Sequence, residues 1–226
     1  MLIGILQTGL APEALAPTMG DYPDMFARLL DGHGFTFRTF QVVNGVFPES
    51  VTACDGWLIT GSKHGAYEDH AWIPPLEDFI RKAYAAHVPM VGICFGHQII
   101  AQAMGGRVEK YAGGWSVGPT AYDFDGETIT LNAWHQDQVV ERPASAQVLA
   151  SSGFCENAAL LYDTRTLTIQ AHPEFKTEFV DGLMKTRAIG VVPDPLLQEA
   201  ATKLETPLND GKIAARIAAF FKAPRS

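Results

Sequence analysis

The segment around Cys94 combines residue types that are suited to covalent chemistry. An apolar run ends in residues 92–96, with the sequence GICFG, and a helix-like segment follows. This pattern is the strand-turn-helix context of a nucleophile elbow, with cysteine in the position of serine. The glycines allow the strand and the helix to approach each other, and the helix N-terminus favours the reactive thiolate. The pattern predicts a nucleophile for acyl transfer, although a buried cysteine in a glycine-rich turn fits the motif alone equally well.

A histidine and a glutamate two positions apart provide a matching base. His172, Pro173 and Glu174 follow a β-rich run. Residues i and i+2 of an extended chain face the same side, and a proline favours that conformation in the residue before it. Glu174 would then orient the imidazole of His172, which would take a proton from Cys94 and deliver it to the leaving group. Alone the tripeptide is typical of a surface turn, so its significance depends on the pairing with Cys94.

Strands and helices that could position these groups alternate in the first half of the chain. Strand-like runs cover residues 2–6, 35–42, 56–60 and 89–93, and helix-like segments cover residues 21–30, 74–86 and 97–104. The alternation predicts an α/β fold with a doubly wound, mostly parallel sheet. Such a sheet holds its ligands at the carboxyl ends of its strands, where Cys94 would lie.

The second half of the chain has a different pattern. Short β-rich runs at residues 128–131, 146–150, 159–162 and 166–170 predict a smaller, mixed or antiparallel portion of the same fold. Helical patterns return from residue 176, with Pro193, Pro195 and Pro207 as breaks and residues 213–221 as a terminal helix. We therefore expect one domain over residues 1–226, with residues 176–226 as a helical C-terminal extension.

Composition limits the partners of the chain. The 226 residues include 25 acidic and 17 basic side chains, for a formal net charge of −8, and this acidic balance disfavours nucleic acid. No apolar stretch is long enough to span a membrane, and the N-terminus lacks a basic export region, so we expect no membrane association and a cytoplasmic location. The 3 cysteines then fit reduced thiols, and Cys54 and Cys155, which lack a reactive setting, are expected to be structural.

Taken in this order, the two motifs resemble the class I glutamine amidotransferases. The resemblance rests on residues 92–98 (GICFGHQ) and 172–174 (HPE) and extends to about residue 175. Residues 20–26, 55–62, 66–69 and 72–73 are further similar to a stand-alone branch related to the amidotransferase domain of GMP synthase and to γ-glutamyl peptidases. The resemblance implies a flavodoxin-like open sheet and a triad of Cys94, His172 and Glu174. This triad would hydrolyse a γ-glutamyl amide through a γ-glutamyl thioester.

The resemblance also implies an oxyanion hole. One backbone N–H would come from Phe95 and the other from the loop at Gly61 and Ser62, because two fixed donors stabilise the tetrahedral oxyanion. Many relatives carry Gly-Gly-Pro in this loop, whereas this chain has Gly-Ser-Lys. The second donor is therefore left open between Gly61 and Ser62.

Three further residues match positions that contact the glutamyl part of the substrate in the family. They are Gln98, His135 and Asp137. Trp134 stands where relatives often have serine. Spacing alone fits other roles equally well, since Gln98 could hydrogen-bond nearby backbone in its helix, and His135 and Asp137 could lie in a solvated turn.

No metal and no cofactor are expected. His64, Glu68, Asp69 and His70 are close in sequence, but their spacing fits neither a His-Glu-x-x-His helix nor a Cys/His zinc framework. Neither a dinucleotide-binding nor a P-loop glycine motif is present, so the chain lacks the phosphate cradle of an ATP-driven synthetase.

Three functions remain open. The substrate could be free glutamine, with the ammonia passed to a synthetase subunit in trans. It could instead be a γ-glutamyl peptide or amine that the protein hydrolyses alone. A non-catalytic regulatory relative is a third possibility, against which the intact triad counts. A different cysteine reaction on the same fold is disfavoured by the presence of the His-x-Glu pair.

Overall fold

The computed structural model describes residues 1–224, and most strands in this range belong to one sheet. In chain order the strands are β1 (Leu2–Leu6), β2 (Thr36–Phe40), β3 (Gly56–Ile59), β4 (Met90–Ile93), β5 (Arg107–Lys110), β6 (Ser116–Phe124), β7 (Glu127–His135), β8 (Asp137–Glu141), β9 (Ala146–Ser151), β10 (Ala159–Tyr162) and β11 (Thr166–Ile169). The nine-stranded sheet within residues 1–224 has the order β2-β1-β3-β4-β11-β10-β9-β6-β7, and β5 pairs with β8 in a separate antiparallel ribbon.

The half of the sheet that runs from β2 to β11 is parallel. Each neighbouring pair in this half runs in the same direction. Strands β3, β4 and β11 are buried along their whole length, as expected of parallel strands covered on both faces. The predicted α/β class with a mostly parallel sheet and a smaller antiparallel portion is confirmed.

Helices cover both faces of the parallel half. The helices are α1 (Ala16–Met19), α2 (Tyr22–Leu29), α3 (Ile73–Ala85), α4 (Phe95–Ala103), α5 (Thr177–Thr186), α6 (Asp194–Lys203) and α7 (Asp210–Lys222). Trp57 and Ile59 of β3 pack with α3 and α4, whereas Leu58 between them packs with α2 and α7 on the opposite face. This alternation along one strand creates two apolar cores, one on each side of the sheet.

The antiparallel strands extend the same sheet beyond β11. The long strand β6 lies outside the β-rich runs identified in the sequence, because Gly118 and Pro119 interrupt its pattern. The structure accommodates Pro119 since β6 pairs with β9 only at Asp123 and Phe124. The missing N–H of Pro119 therefore falls where β6 makes its ladder with β7 alone.

The helices predicted after residue 176 are present as α5, α6 and α7, the last of which ends at Lys222. Residues 225 and 226 of the predicted extension lie outside the described range. Pro195, expected to break the helical pattern, lies in the first turn of α6, where its missing N–H costs nothing. Ile213, Ile217 and Phe221 of α7 are buried in the core beneath β1 and β4. The last helix is thus part of a main core. None of the helices in residues 1–224 has the length and apolarity needed to cross a bilayer.

Candidate active site

Cys94 occupies a strained turn between β4 and α4. Its backbone has φ 53° and ψ −103°, a left-handed conformation that costs a residue with a Cβ about 1–3 kcal/mol. A Cβ on Gly92 would lie 2.5 Å from the carbonyl oxygen of Gly96, and one on Gly96 would lie 2.3 Å from that of Ile59. Both glycines are therefore required for the strand and the helix to approach this closely. The turn has the geometry of the predicted nucleophile elbow.

The elbow is tied to the strands on either side of it. The Cys94 N–H donates to the carbonyl oxygen of Ile169 at the end of β11 (2.9 Å), and the Gly96 N–H donates to that of Thr60 after β3 (3.1 Å). Because β3, β4 and β11 are parallel neighbours, the segments that leave their carboxyl ends meet at one edge of the sheet. This edge receives Cys94, the loop at Gly61 and, three residues after β11, His172.

His172 and Glu174 form a buried pair. The Nδ1 atom of His172 lies 2.7 Å from Oε1 of Glu174, and their side chains are 4% and 1% exposed. The two side chains meet across a turn, closed by the Phe175 N–H donating to the His172 carbonyl, and not along the extended backbone expected from the sequence. Proline suits the second position of such a turn. The predicted contact is thus present with a different local backbone.

Two residues hold this turn in place. Asn132 of β7 accepts the His172 N–H at its carbonyl oxygen (2.8 Å) and donates its side-chain amide to the carbonyl of Phe175 (2.9 Å). The Phe175 ring stacks on the His172 imidazole at 3.9 Å with an interplanar angle of 4°. The sequence reasoning gave neither residue a role, although Phe175 directly follows the HPE motif. The contact of Asn132 is long-range and has no local signal.

The electrostatics of the pair favour a charged imidazole. Burial lowers the pKa of His172, but the negative charges of Glu174 and Cys94 and hydrogen bonds to both outweigh burial and raise that pKa to about 10. Since Nδ1 faces Glu174, the other ring nitrogen is left for the thiol. The arrangement thus holds a positively charged imidazole beside Cys94.

The loop after β3 packs closely against both groups. A Cβ on Gly61 would lie 3.0 Å from Cε1 of His172 and 3.7 Å from Cβ of Cys94. The Phe95 N–H is at the N-terminus of α4, where helix amides have no intrahelical acceptor. The backbone of Gly61 therefore lies beside the His172 ring and the Cβ of Cys94, and Ser62 lines the adjoining cavity.

A cavity of about 430 Å³ opens beside Cys94 and His172. The predicted substrate residues Gln98, His135 and Asp137 all line it. One side also carries Lys63, Tyr67, Glu68 and Lys110, and another carries Tyr22, Trp115, Trp134, Leu183, Arg187 and Val192. The cavity thus joins a polar side to a largely aromatic and aliphatic side that also includes the guanidinium of Arg187. The second side was not foreseen because its residues come from distant segments.

Gln98 positions the polar side of the cavity. Its amide nitrogen donates to the carbonyl oxygen of Asp137 (2.8 Å) and to Oε1 of Gln170 (3.1 Å). Both hydrogen bonds join Gln98 to groups outside α4, one of them a backbone carbonyl and the other a side chain. Through them α4 fixes the backbone from which the Asp137 side chain extends.

His135 and Asp137 differ in exposure and charge. Burial, and next the positive charge of His172, lower the pKa of His135 to about 3, so this imidazole is neutral near pH 7. Burial raises the pKa of Asp137, partly offset by its hydrogen bond from the Tyr67 hydroxyl (3.2 Å) and by Lys110. Neither residue lies in a solvated turn: His135 is buried and Asp137 is half-buried in the cavity wall.

The fold and the site together define a class. The family model described as glutamine amidotransferase class-I matches residues 42–184, a range that includes Cys94, His172 and Glu174. This chain belongs to the class I glutamine amidotransferase family.

Individual relatives support the same family. A glutamine amidotransferase-like protein of Schizosaccharomyces pombe is 30% identical and covers 96% of this chain and 97% of its own. Gamma-glutamyl peptidase 4 of Arabidopsis thaliana is 35% identical over 74% of this chain and 73% of its own. A crystal structure of a glutamine amidotransferase from Methylobacillus flagellatus superposes with a TM-score of 0.76 at 22% identity, over 98% of this chain and 91% of its own, and so shares the fold.

Proposed function

We propose that this protein hydrolyses a γ-glutamyl amide bond with Cys94 as the nucleophile, His172 as the acid and base, and Glu174 as the residue that orients His172. The observation that carries the proposal is the strained Cys94 turn beside the buried pair of His172 and Glu174 at one cavity. Amide hydrolysis of this kind fits the family and its γ-glutamyl peptidase relatives.

In the first half of the reaction the Cys94 thiolate attacks the γ-carbonyl carbon of the substrate. The oxyanion that forms accepts hydrogen bonds from the Phe95 N–H and from the N–H of Gly61 or Ser62. As the carbon–nitrogen bond breaks, the His172 imidazolium gives its proton to the leaving nitrogen. The products of this half are ammonia or an amine and a γ-glutamyl thioester on Cys94.

In the second half a water molecule attacks the thioester carbonyl. His172, now neutral, accepts a proton from the water, and the same amides stabilise the second oxyanion. Collapse of this intermediate breaks the carbon–sulfur bond, releases glutamate and restores the thiolate and the imidazolium.

Asp137, with its Tyr67 hydrogen bond, would hold the α-ammonium group of the glutamyl part, and neutral His135 borders the same end of the substrate.

The cavity wall favours a leaving group larger than ammonia. Trp115, Trp134, Leu183 and Val192 give the cavity a second, mainly apolar side beyond the polar side that suits the glutamyl group. An ammonia leaving group would leave this side without a ligand to contact, whereas the side chain of a γ-glutamyl peptide or amine would cover it. We therefore favour the function of a stand-alone γ-glutamyl peptidase over that of an amidotransferase that supplies ammonia to a synthetase partner.

The test is glutamate release by the purified protein alone. The substrates are free glutamine and a panel of γ-glutamyl dipeptides and amines that differ in the size of the apolar leaving group. Cys94→Ala is the blank, and Cys54→Ala, which changes a buried cysteine in the core, is the matched control. We expect Cys94-dependent turnover that increases with the apolar leaving group and is retained in Cys54→Ala.

The other outcomes decide between the remaining functions. Turnover of glutamine with poor turnover of peptides would overturn the peptidase reading and favour an amidotransferase that serves a partner. Equal glutamate release by the wild type and Cys94→Ala would contradict the catalytic proposal and revive the non-catalytic relative.

A further inference from the structure

A second group of chemically capable side chains lies on the loop that joins β3 to α3. His64, Glu68 and His70 each offer one ligand atom, and these three atoms lie within 4.8 Å of one another. Glu68 Oε2 is 3.3 Å from His64 Nδ1 and 2.7 Å from His70 Nε2. We propose that these three side chains bind one divalent transition-metal ion, with Zn²⁺ as the reference ion.

The donor set defines the class of ion. Two imidazole nitrogens and one carboxylate oxygen form a ligand set that Zn²⁺ uses in proteins, whereas Ca²⁺ and Mg²⁺ prefer oxygen ligands throughout. With metal–ligand bonds of about 2.0–2.1 Å, neighbouring ligand atoms of a tetrahedral ion are roughly 3.3 Å apart. The contact of His64 with Glu68 already has this separation, at 3.3 Å. The contact of His70 with Glu68 only has to lengthen from its hydrogen-bond distance.

The loop holds the three side chains in this convergent arrangement. The two imidazole rings lie 4.2 Å apart, and the His70 ring stacks on Trp72 at 5.8 Å with an interplanar angle of 9°. Trp72 is buried and packs 5.4 Å from the ring of Phe95. Backbone hydrogen bonds from Glu68 N–H to Gly65 and from His70 N–H to Glu68 form the turn between the ligands. Little rearrangement is needed for an ion to replace the proton that now joins each histidine to the carboxylate.

The structure also explains why sequence spacing argued against a metal. The rejected patterns require a helix or a Cys/His framework, whereas these ligands converge through a turn. Of the four residues considered, Asp69 is not among the three whose ligand atoms converge. The proposal replaces the expectation of no bound metal for this loop and leaves the mechanism above unchanged.

The position of the group relates the ion to the cavity. His64 and Glu68 line the cavity that also holds Cys94, so a bound ion would lie in its polar wall. The same loop carries Gly61 and Ser62 at one end and Trp72 at the other. Metal binding would therefore restrain a segment whose two ends both reach the nucleophile turn. The inference does not depend on the proposed hydrolysis.

The test is a Zn²⁺ titration of the full-length Cys94→Ser protein, monitored by calorimetry. The substitution removes the thiolate as a competing ligand. We expect one saturable site. His64→Gln, His70→Gln and Glu68→Gln in that background should each weaken Zn²⁺ binding by at least about tenfold, because weaker second-shell changes already cost about 10–100-fold. Asp69→Asn is the matched control, since it removes one negative charge from the same loop without removing a ligand, and it should retain the affinity.

Thermal unfolding provides a readout that is separate from activity. Zn²⁺ should raise the melting temperature of the Cys94→Ser and Asp69→Asn proteins and have a smaller effect on the three ligand variants. The metal-free melting temperatures show whether each variant has folded. Absence of a saturable site would overturn the proposal. An equal loss of Zn²⁺ affinity in Glu68→Gln and Asp69→Asn would also overturn it, because the loss would then follow from the removed negative charge and not from a removed ligand.

Discussion

Two histidine–glutamate pairs in this protein have the same contact distance and very different surroundings. In both pairs the residues are two positions apart, and the imidazole and carboxylate atoms are 2.7 Å apart. The side chains of His172 and Glu174 are 4% and 1% exposed, whereas those of His70 and Glu68 are 33% and 42% exposed. Only the first pair is shielded from water, so only there does the carboxylate act strongly on the imidazole. Burial, rather than the contact itself, distinguishes a pair suited to moving a proton from a pair that remains open to an ion.

Removing the buried carboxylate charge is the most direct way to separate the two pairs. Glu174→Gln should lower kcat/KM for the γ-glutamyl substrate by about 10²–10⁴-fold, because His172 loses the partner that fixes its orientation and stabilises its charge. Glu178→Gln makes the same chemical change at an exposed position four residues along the chain and should leave kcat/KM unchanged. Steady-state kinetics measures kcat/KM for both variants. Equal values would contradict the role proposed for Glu174.

The pH dependence of stability follows from the same burial. The pKa of His172 is raised in the folded protein to about 10, above the ordinary value of 6.5. A raised pKa contributes stability that is fully present below about pH 6.5 and is lost as pH rises towards 10. Urea unfolding between pH 6 and pH 10 should therefore show a loss of stability in the wild type that is smaller in Glu174→Gln. An equal loss in both would show that Glu174 does not raise this pKa.

The strained turn beneath the buried pair offers a smaller and independent test. Cys94→Gly relieves the left-handed backbone at φ 53°, whereas Cys94→Ala keeps a Cβ in that conformation. Relief of the strain stabilises the glycine variant, and the greater loss of chain entropy of glycine on folding offsets part of this gain. We therefore expect the glycine variant to be more stable than the alanine variant by about 1 kcal/mol. Urea unfolding of the two inactive proteins measures this difference. A more stable alanine variant would argue against strain at this position.

Local patterns in the sequence predicted the parts of the fold that depend on neighbouring residues. Residues 2–6 form β1 as expected, and the glycines around Cys94 produce the predicted elbow. The alternation of strands and helices predicted the parallel order of β1 to β4. It did not predict the place of β11 beside β4, because antiparallel strands separate the two in the chain. The contact of His172 with Glu174 was predicted, but from an extended backbone. In the structure a proline-containing turn brings the same two side chains together.

Long-range contacts set the limits of that prediction. Strand β6 lacks a readable pattern because its glycine and proline are tolerated only by the way it pairs with β7 and β9. The link from Asn132 to the turn after His172 joins segments far apart in the chain, and so does the cavity wall at Trp115 and Val192. The convergence of His64, Glu68 and His70 depends on a loop conformation that spacing rules for helices do not describe.

The adjacency of β4 and β11 has a consequence for how this protein can evolve. The chain leaves the carboxyl edge of the parallel strands after Cys94, builds the antiparallel strands and returns to the same edge at His172. Because β11 pairs directly with β4, the intervening segment can change in length and side chains, apart from Asn132 and its contacts with the His172 turn, without moving Cys94 relative to His172. That segment supplies Trp115 and Trp134 to the cavity. Selection can therefore change the cavity wall that we propose to contact the leaving group while the proposed catalytic residues stay in place.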